Sequence, residues 1–104
     1  MTTDVTFRHF DSVPDLRDHA IKGVNKLTKF YDGITTAHVV LGIEPLHTDT
    51  KSAEISLGVY RQTLTASETG VTHEEAINRC IAQLKRQVLR YKDRLRSVDK
   101  DIHH

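Results

Sequence analysis

Apolar residues recur at steps of three and four along Val71–Leu95, and this spacing predicts one long amphipathic helix. At about 100° per residue, these positions share one stripe of the helix surface. Thr72 and Glu75 have the spacing of a capping box, and Val71 and Ala76 are placed for the hydrophobic staple that often accompanies it. The stripe expected to face a core contains Ile77, Cys80, Ile81, Leu84, Val88, Tyr91 and Leu95.

The rest of the chain divides into one further helix and four strands with alternating apolar and polar residues. Pro14 favours the first turn of a helix that Asp32-Gly33 would close, with Gly23 where the helix approaches the sheet. Tyr60-Arg61 is the predicted hairpin connection, and 68–70 is the predicted turn into the long helix. The predicted strands span 4–10, 36–44, 52–59 and 62–67, with a polar loop over 46–51.

This order of elements predicts an α+β fold of the β-α-β-β-β-α type. A strand-helix-strand unit makes its two strands parallel, whereas the short later connections make antiparallel hairpins. Because the strands alternate, one face of the sheet should be buried and the other exposed to water. We therefore expect a four-stranded mixed sheet with two helices packed on one face.

Composition limits the chain to one domain. Its 104 residues, of which 38% are hydrophobic, suffice for one core and are too few for two ordinary domains. We predict a single domain over 1–96 and a short, flexible C-terminal tail over 97–104. No stretch approaches the roughly 20 apolar residues of a membrane span, and Met1–Asp4 lacks the pattern of a signal peptide. These features predict a cytoplasmic protein without a membrane partner.

Charge is distributed unevenly. Residues 1–78 carry 7 Lys/Arg and 11 Asp/Glu, a net charge of −4, whereas residues 79–104 carry 8 and 3, a net charge of +5. Helices that need only solubility usually mix both signs, so this pattern favours a binding surface for a polyphosphate over a merely solvated one. Such a surface would contact the backbone of structured RNA, because side chains cannot enter the deep major groove of A-form RNA. Its candidate residues are Lys22, Lys26 and Lys29 on the first helix and Arg79, Lys85, Arg86, Arg90, Lys92 and Arg94 on the long helix.

Short motifs in both helices and in one strand resemble those of a known family. The chain is similar in these motifs, and in their order, to the ribosome hibernation promoting factors and the related ribosome-associated inhibitor. The motifs are Leu16-Arg17, Lys26-Leu27, Phe30-Tyr31-Asp32-Gly33-Ile34, Val39-Val40-Leu41, Ala76-Ile77-Asn78, Leu84-Lys85-Arg86-Gln87 and Tyr91-Lys92-Asp93-Arg94-Leu95.

The resemblance implies a bacterial protein that binds the small ribosomal subunit when growth slows. Members of that family occupy the channel of messenger RNA and of the A- and P-site transfer RNAs, and so block translation by occlusion. The short chain favours the type that promotes inactive ribosome dimers with a second hibernation factor, and we expect a monomer when it is free. Matching positions imply rRNA contacts by Lys26, Arg86, Arg90, Lys92 and Arg94, to which the charge pattern adds Lys22, Lys29, Arg79 and Lys85.

Other kinds of site have weaker support. Cys80 lies on the apolar stripe, where a buried inert thiol is expected. The seven histidines show no metal-ligand spacing, and no phosphate loop or nucleophile motif occurs, so we expect neither a cofactor nor an enzyme. Two alternatives remain: a general binder of double-stranded RNA, and a transcription-related module that binds a protein through the exposed sheet face at His38, Val40 and Glu44.

Overall fold

The computed structural model describes the backbone of residues 1–44 and 50–102 and the side chains of residues 1–44 and 50–96. Its element order is the predicted β-α-β-β-β-α. The elements are β1 (Thr2–Arg8), α1 (Pro14–Leu27), β2 (Thr36–Glu44), β3 (Thr50–Val59), β4 (Gln62–Gly70) and α2 (His73–Ile102).

The four strands form one mixed sheet in the order β1-β2-β3-β4. β1 and β2 are parallel, and both later pairs are antiparallel, as predicted. The register places Val5, Val39, Ile55 and Ala66 side by side in one row across the sheet. Such rows put the alternating apolar residues of all four strands on the same face.

Both helices cover this face and close a single core. The predicted stripe of α2 is largely confirmed, although Ile81 and Leu95 are only partly buried. On the opposite face His38 is exposed, and its Nδ1 lies 2.7 Å from Asp4 Oδ2. The buried helical residues are Leu16, Ala20, Val24 and Leu27 of α1 and His73, Ala76, Ile77, Cys80, Leu84, Val88 and Tyr91 of α2.

The long helix differs from its prediction at both ends. Thr72 Oγ1 accepts a hydrogen bond of 3.1 Å from the Glu75 amide, which confirms the cap, but Val71 is 82% exposed and forms no hydrophobic staple. The backbone stays helical through Ile102, because the end of the apolar stripe at Leu95 is followed by no glycine or proline. Residues 97–102 are therefore helical. Within the described residues, no helix combines the length and the apolar content of a membrane span.

Several other boundaries also move. β1 ends at Arg8 rather than at residue 10, and β4 continues through 68–70, which the sequence predicted to be a turn. α1 already ends at Leu27, and Gly33 does not adopt the left-handed conformation expected of it. The predicted loop over 46–51 lies mostly outside the described residues, and its last two positions belong to β3.

Candidate nucleic-acid interface

The two helices lie side by side in close contact. His19 Nε2 of α1 lies 2.9 Å from Asn78 Oδ1 of α2. A Cβ atom on Gly23 would lie 3.1 Å from Ile81 Cγ1, so this glycine makes room for α2. The sequence had predicted that it would make room for the sheet, and this prediction was wrong. This contact brings the lysines of α1 next to those of α2.

A lysine row follows the groove between the helices. The row consists of Lys22, Lys26 and Lys29 from the first helix and the segment after it, and of Lys85 and Lys92 from α2. Lys26, Lys29 and Lys85 line the groove. Lys85 Nζ lies 4.7 Å from the centre of the Phe30 ring, and Lys92 Nζ donates a hydrogen bond of 3.2 Å to the Phe30 carbonyl. Lys92 thus also holds the segment that follows α1 against α2.

An arginine row, formed by Arg86, Arg90 and Arg94, lies on the other flank of α2 above β4. All three arginines line a shallow groove between α2 and the beginning of β4. Two glutamines hold α2 in place here. Gln87 Nε2 donates a hydrogen bond of 3.0 Å to the Thr65 carbonyl, and Gln83 Nε2 donates one of 2.9 Å to Glu68 Oε1. The glutamines therefore make the contacts with β4, and the arginine side chains remain exposed.

The two rows diverge around α2. Lys85 and Arg86 are consecutive, and a helix turns by about 100° per residue. Between the rows runs an exposed ridge that contains Ala82, Leu89 and Asp93. The basic residues predicted to form a single surface therefore form two strips, the lysines along the groove between α1 and α2 and the arginines on the other flank of α2.

Arg79 belongs to neither row. Its Nη2 lies 2.6 Å from Glu75 Oε1, and its Nη1 donates a hydrogen bond of 2.9 Å to the Thr69 carbonyl. The Glu75 carboxylate offsets its charge, and the hydrogen bond to Thr69 holds its side chain on β4. By contrast, among the side chains that the structure describes, no carboxylate lies within ion-pair distance of either row. The rows therefore retain their charge for an external anion.

A family model described as Sigma 54 modulation protein / S30EA ribosomal protein matches residues 3–96. The chain belongs to this family. The match spans all of α1, β2, β3 and β4, β1 from its second residue, and α2 up to residue 96, so it includes both basic rows. It confirms the family resemblance that the helix motifs indicated.

Two curated relatives of this S30EA-family chain have similar length. The ribosome hibernation promoting factor of Klebsiella oxytoca is 30% identical over 96 residues, covering 92% of this chain and 98% of that protein. The ribosome-associated factor Y of Haemophilus influenzae is 31% identical over 104 residues, covering 98% and 94%. The similarity is thus spread over the whole chain.

Solved structures show the same fold. The N-terminal domain of Thermus thermophilus protein Y has a TM-score of 0.76 at 24% identity, covering 88% of this chain and 99% of that one. A ribosomal subunit interface protein from Coxiella burnetii has a TM-score of 0.80 at 20% identity, covering 89% and 99%. At these identities the likeness shows the shared β-α-β-β-β-α fold.

Cys80 is buried beneath the basic rows, as predicted. Its Sγ lies 3.4 Å from the Ala53 carbonyl oxygen and 3.7 Å from that of Ala66, and its one proton forms a weak hydrogen bond shared between them. Burial, with a smaller contribution from the Glu68 charge, raises the pKa of this thiol from 9.0 to about 12. Because the thiolate is the nucleophile, this cysteine is inert at neutral pH.

His73 is a structural residue that the sequence analysis missed. Its Nε2 donates a hydrogen bond of 2.8 Å to the Gly42 carbonyl, and its ring stacks on Phe10 with centroids 4.7 Å apart. The available signal was its position one turn before Ile77 on the apolar stripe. Among the described residues, no group of three or more histidine, cysteine or acidic side chains could hold a metal ion.

Proposed function

We propose that this protein is a ribosome hibernation factor whose domain, residues 1–96, binds rRNA of the small ribosomal subunit. The observation that carries the proposal is the pair of unneutralised basic rows, one along the groove between α1 and α2 and one on the other flank of α2, in a chain of the S30EA family. The curated relatives are named for ribosome hibernation and ribosome association, and they match over nearly their whole length. A ribosomal partner would place the protein in the cytoplasm.

The chemistry of the rows suits folded RNA. Arginine presents a planar fork that fits phosphate oxygens, whereas lysine acts as a flexible point charge. The arginine row and the lysines of the lysine row lie on different flanks of α2, so each row would follow a different stretch of backbone. Contacts of this kind position a protein without reading bases, as recognition of rRNA by shape requires.

Occlusion is the mechanism that we propose. The protein would lie in the channel of messenger RNA and of the A- and P-site transfer RNAs, and it would exclude them by occupying their volume. The proposed outcome is an inactive ribosome or, with a second hibernation factor, an inactive ribosome dimer. The free protein would be a monomer that needs neither a cofactor nor a catalytic residue.

Sedimentation with purified bacterial small subunits tests the proposal. The wild-type protein should co-sediment at low salt, and its association should fall steeply as salt rises, because each phosphate contact releases counterions. The double variant Lys26→Glu/Arg90→Glu, with one change in each row, should lose binding yet remain folded by circular dichroism, since both side chains are exposed.

The control is Arg8→Glu/Arg17→Glu, which changes the net charge equally at exposed positions outside the rows. It should bind nearly as well as the wild type. Wild-type protein that stays at the top of the gradient at low salt would overturn the proposal. Equal losses in both double variants would mean that net charge, rather than the rows, determines binding.

A second candidate function is general binding of double-stranded RNA. The rows present exposed cations, which can contact the backbone of any A-form duplex, and this feature favours the alternative. It predicts that free duplex RNA competes with small subunits on nearly equal terms. If a large excess of duplex leaves co-sedimentation unchanged, the alternative is excluded.

A further inference from the structure

The tip of the β3–β4 hairpin presents an exposed aromatic ring beside a cation. Tyr60 is 65% exposed, and the Arg61 guanidinium carbon lies 5.2 Å from the centre of its ring. Val59 pairs with Gln62, so these two residues form the entire connection. An exposed tyrosine stacked with arginine is an arrangement that proteins use to bind nucleobases.

The turn itself is made of residues that do not favour turns. Arg61 has a φ of 66°, a left-handed conformation that glycine or asparagine adopts at much lower cost. Tyr60 is likewise a strand former rather than a turn former. Neither side chain favours the backbone conformation of this turn, so their presence indicates a role in binding rather than in folding.

The tip is held rigidly against α2, at the end of the arginine row. Tyr91 Oη donates a hydrogen bond of 2.7 Å to the Tyr60 carbonyl, and the Tyr91 ring packs edge-on against Tyr31. Arg94, the last member of the row, lines a shallow and mainly apolar pocket together with Tyr60 and Leu95. A phosphate at Arg94 would therefore place its nucleotide next to the exposed ring.

We propose that Tyr60, Arg61 and Arg94 form a stacking site for one unpaired base of RNA, at the end of the arginine row. The inference rests on the proposed function and adds an aromatic contact to the phosphate contacts. Arg94 binds the RNA backbone. One face of the Tyr60 ring stacks on the base, and the Arg61 guanidinium packs on the opposite face of the ring. Every base has a π face, so the site selects an unstacked base rather than a particular sequence.

Substitution of Tyr60 separates stacking from charge. Tyr60→Ala should weaken binding to small subunits about tenfold at fixed salt. The dependence of binding on salt concentration should not change, because no cation is lost. Tyr60→Phe retains the ring and should bind like the wild type. Wild-type affinity in the alanine variant, or equal losses in both variants, would overturn the proposal.

Fluorescence reports the stacking directly. The chain contains no tryptophan, so Tyr60→Trp gives it a single reporter. Protein-free small-subunit rRNA, which brings no tryptophan of its own, should quench it, whereas it should not quench Val71→Trp, whose side chain is 82% exposed at the other end of β4, about 30 Å away. Binding of Tyr60→Trp without quenching would overturn the stacking site alone. Failure of the wild-type protein to bind would overturn the proposed function as well.

Discussion

Arg61 shows how the fold places a residue where its own preferences disfavour it. The two-residue connection between Val59 and Gln62 requires a positive φ at its second position, and an arginine occupies it. The left-handed conformation is less stable by about 1–2 kcal/mol for a residue with a Cβ atom, because the Cβ atom crowds the following carbonyl oxygen. Cys80 is a second residue whose properties the fold changes. Its burial raises the pKa of the thiol and so removes the nucleophilic reactivity that a thiol has in water.

We expect Arg61→Gly to have a free energy of unfolding about 1 kcal/mol higher than that of Arg61→Ala, because only glycine avoids the strain at φ 66°. Both variants lose the arginine side chain and its contact with Tyr60, so their difference isolates the backbone. Urea unfolding at neutral pH measures it. An alanine variant as stable as the glycine variant would show that the turn is not strained.

At the scale of elements, α2 is defined by its cap and by the side chains that join it to the sheet. The Thr72 side chain caps α2 by accepting a hydrogen bond from the Glu75 amide. In a full capping box the Glu75 carboxylate would bind the Thr72 amide in return, but here it pairs with Arg79. Gln83 and Gln87 attach the middle of the helix to β4. These contacts set the rotation of α2 about its axis, and the rotation determines where the two basic rows point.

Thr72→Ala should lower the free energy of unfolding by about 1 kcal/mol, because the Glu75 amide loses its hydrogen-bond acceptor at the N-terminus of α2. Thr72→Ser keeps a hydroxyl at the same place and should retain most of the stability. Thermal or urea unfolding of the two variants makes the comparison. If serine costs as much as alanine, the methyl group rather than the cap is what stabilises this position.

At the scale of the whole molecule, the fold turns two separate helix patterns into neighbouring strips of positive charge. α1 lies against one flank of α2 and adds its lysines there, while β4 lies under the other flank and leaves the arginines exposed. The overall net charge of +1 hides this arrangement. We therefore expect the location of each charge to govern RNA binding more than the total.

The salt dependence of small-subunit binding should count the contacts. Binding constants fall as salt rises, and the steepness of log K against log salt concentration reflects the number of phosphate contacts. This steepness should decrease by about two in Lys26→Ala/Lys85→Ala, by about two in Arg86→Ala/Arg90→Ala, and by about four in the combined variant. Arg79→Ala should change the slope by much less than one, because Glu75 already neutralises that side chain. A full unit lost with Arg79 would show that the ion pair opens on binding.

Features that depend on neighbouring residues in the chain were predictable. β2 has the predicted bounds, 36–44, because alternation and the flanking turn residues are local signals. The parallel and antiparallel pairing was also predicted, since it depends only on the lengths of the connections. By contrast, residues 68–70 join β4 because Lys51, Ser52 and Ala53 pair with them across the sheet, and no local pattern shows such a partner.

By itself, the sequence determined the element order, the buried stripes of both helices, the excess of cations on α2 and the family to which the chain belongs. All of these are periodic or positional patterns, which can be read along one dimension. Only the tertiary structure decided that Arg79 is held on the Thr69 carbonyl of β4, that the other cations form two rows, and that Tyr60 lies beside Arg94. Those outcomes depend on strand register and on the rotation of α2 against α1 and β4, and packing between distant residues sets both.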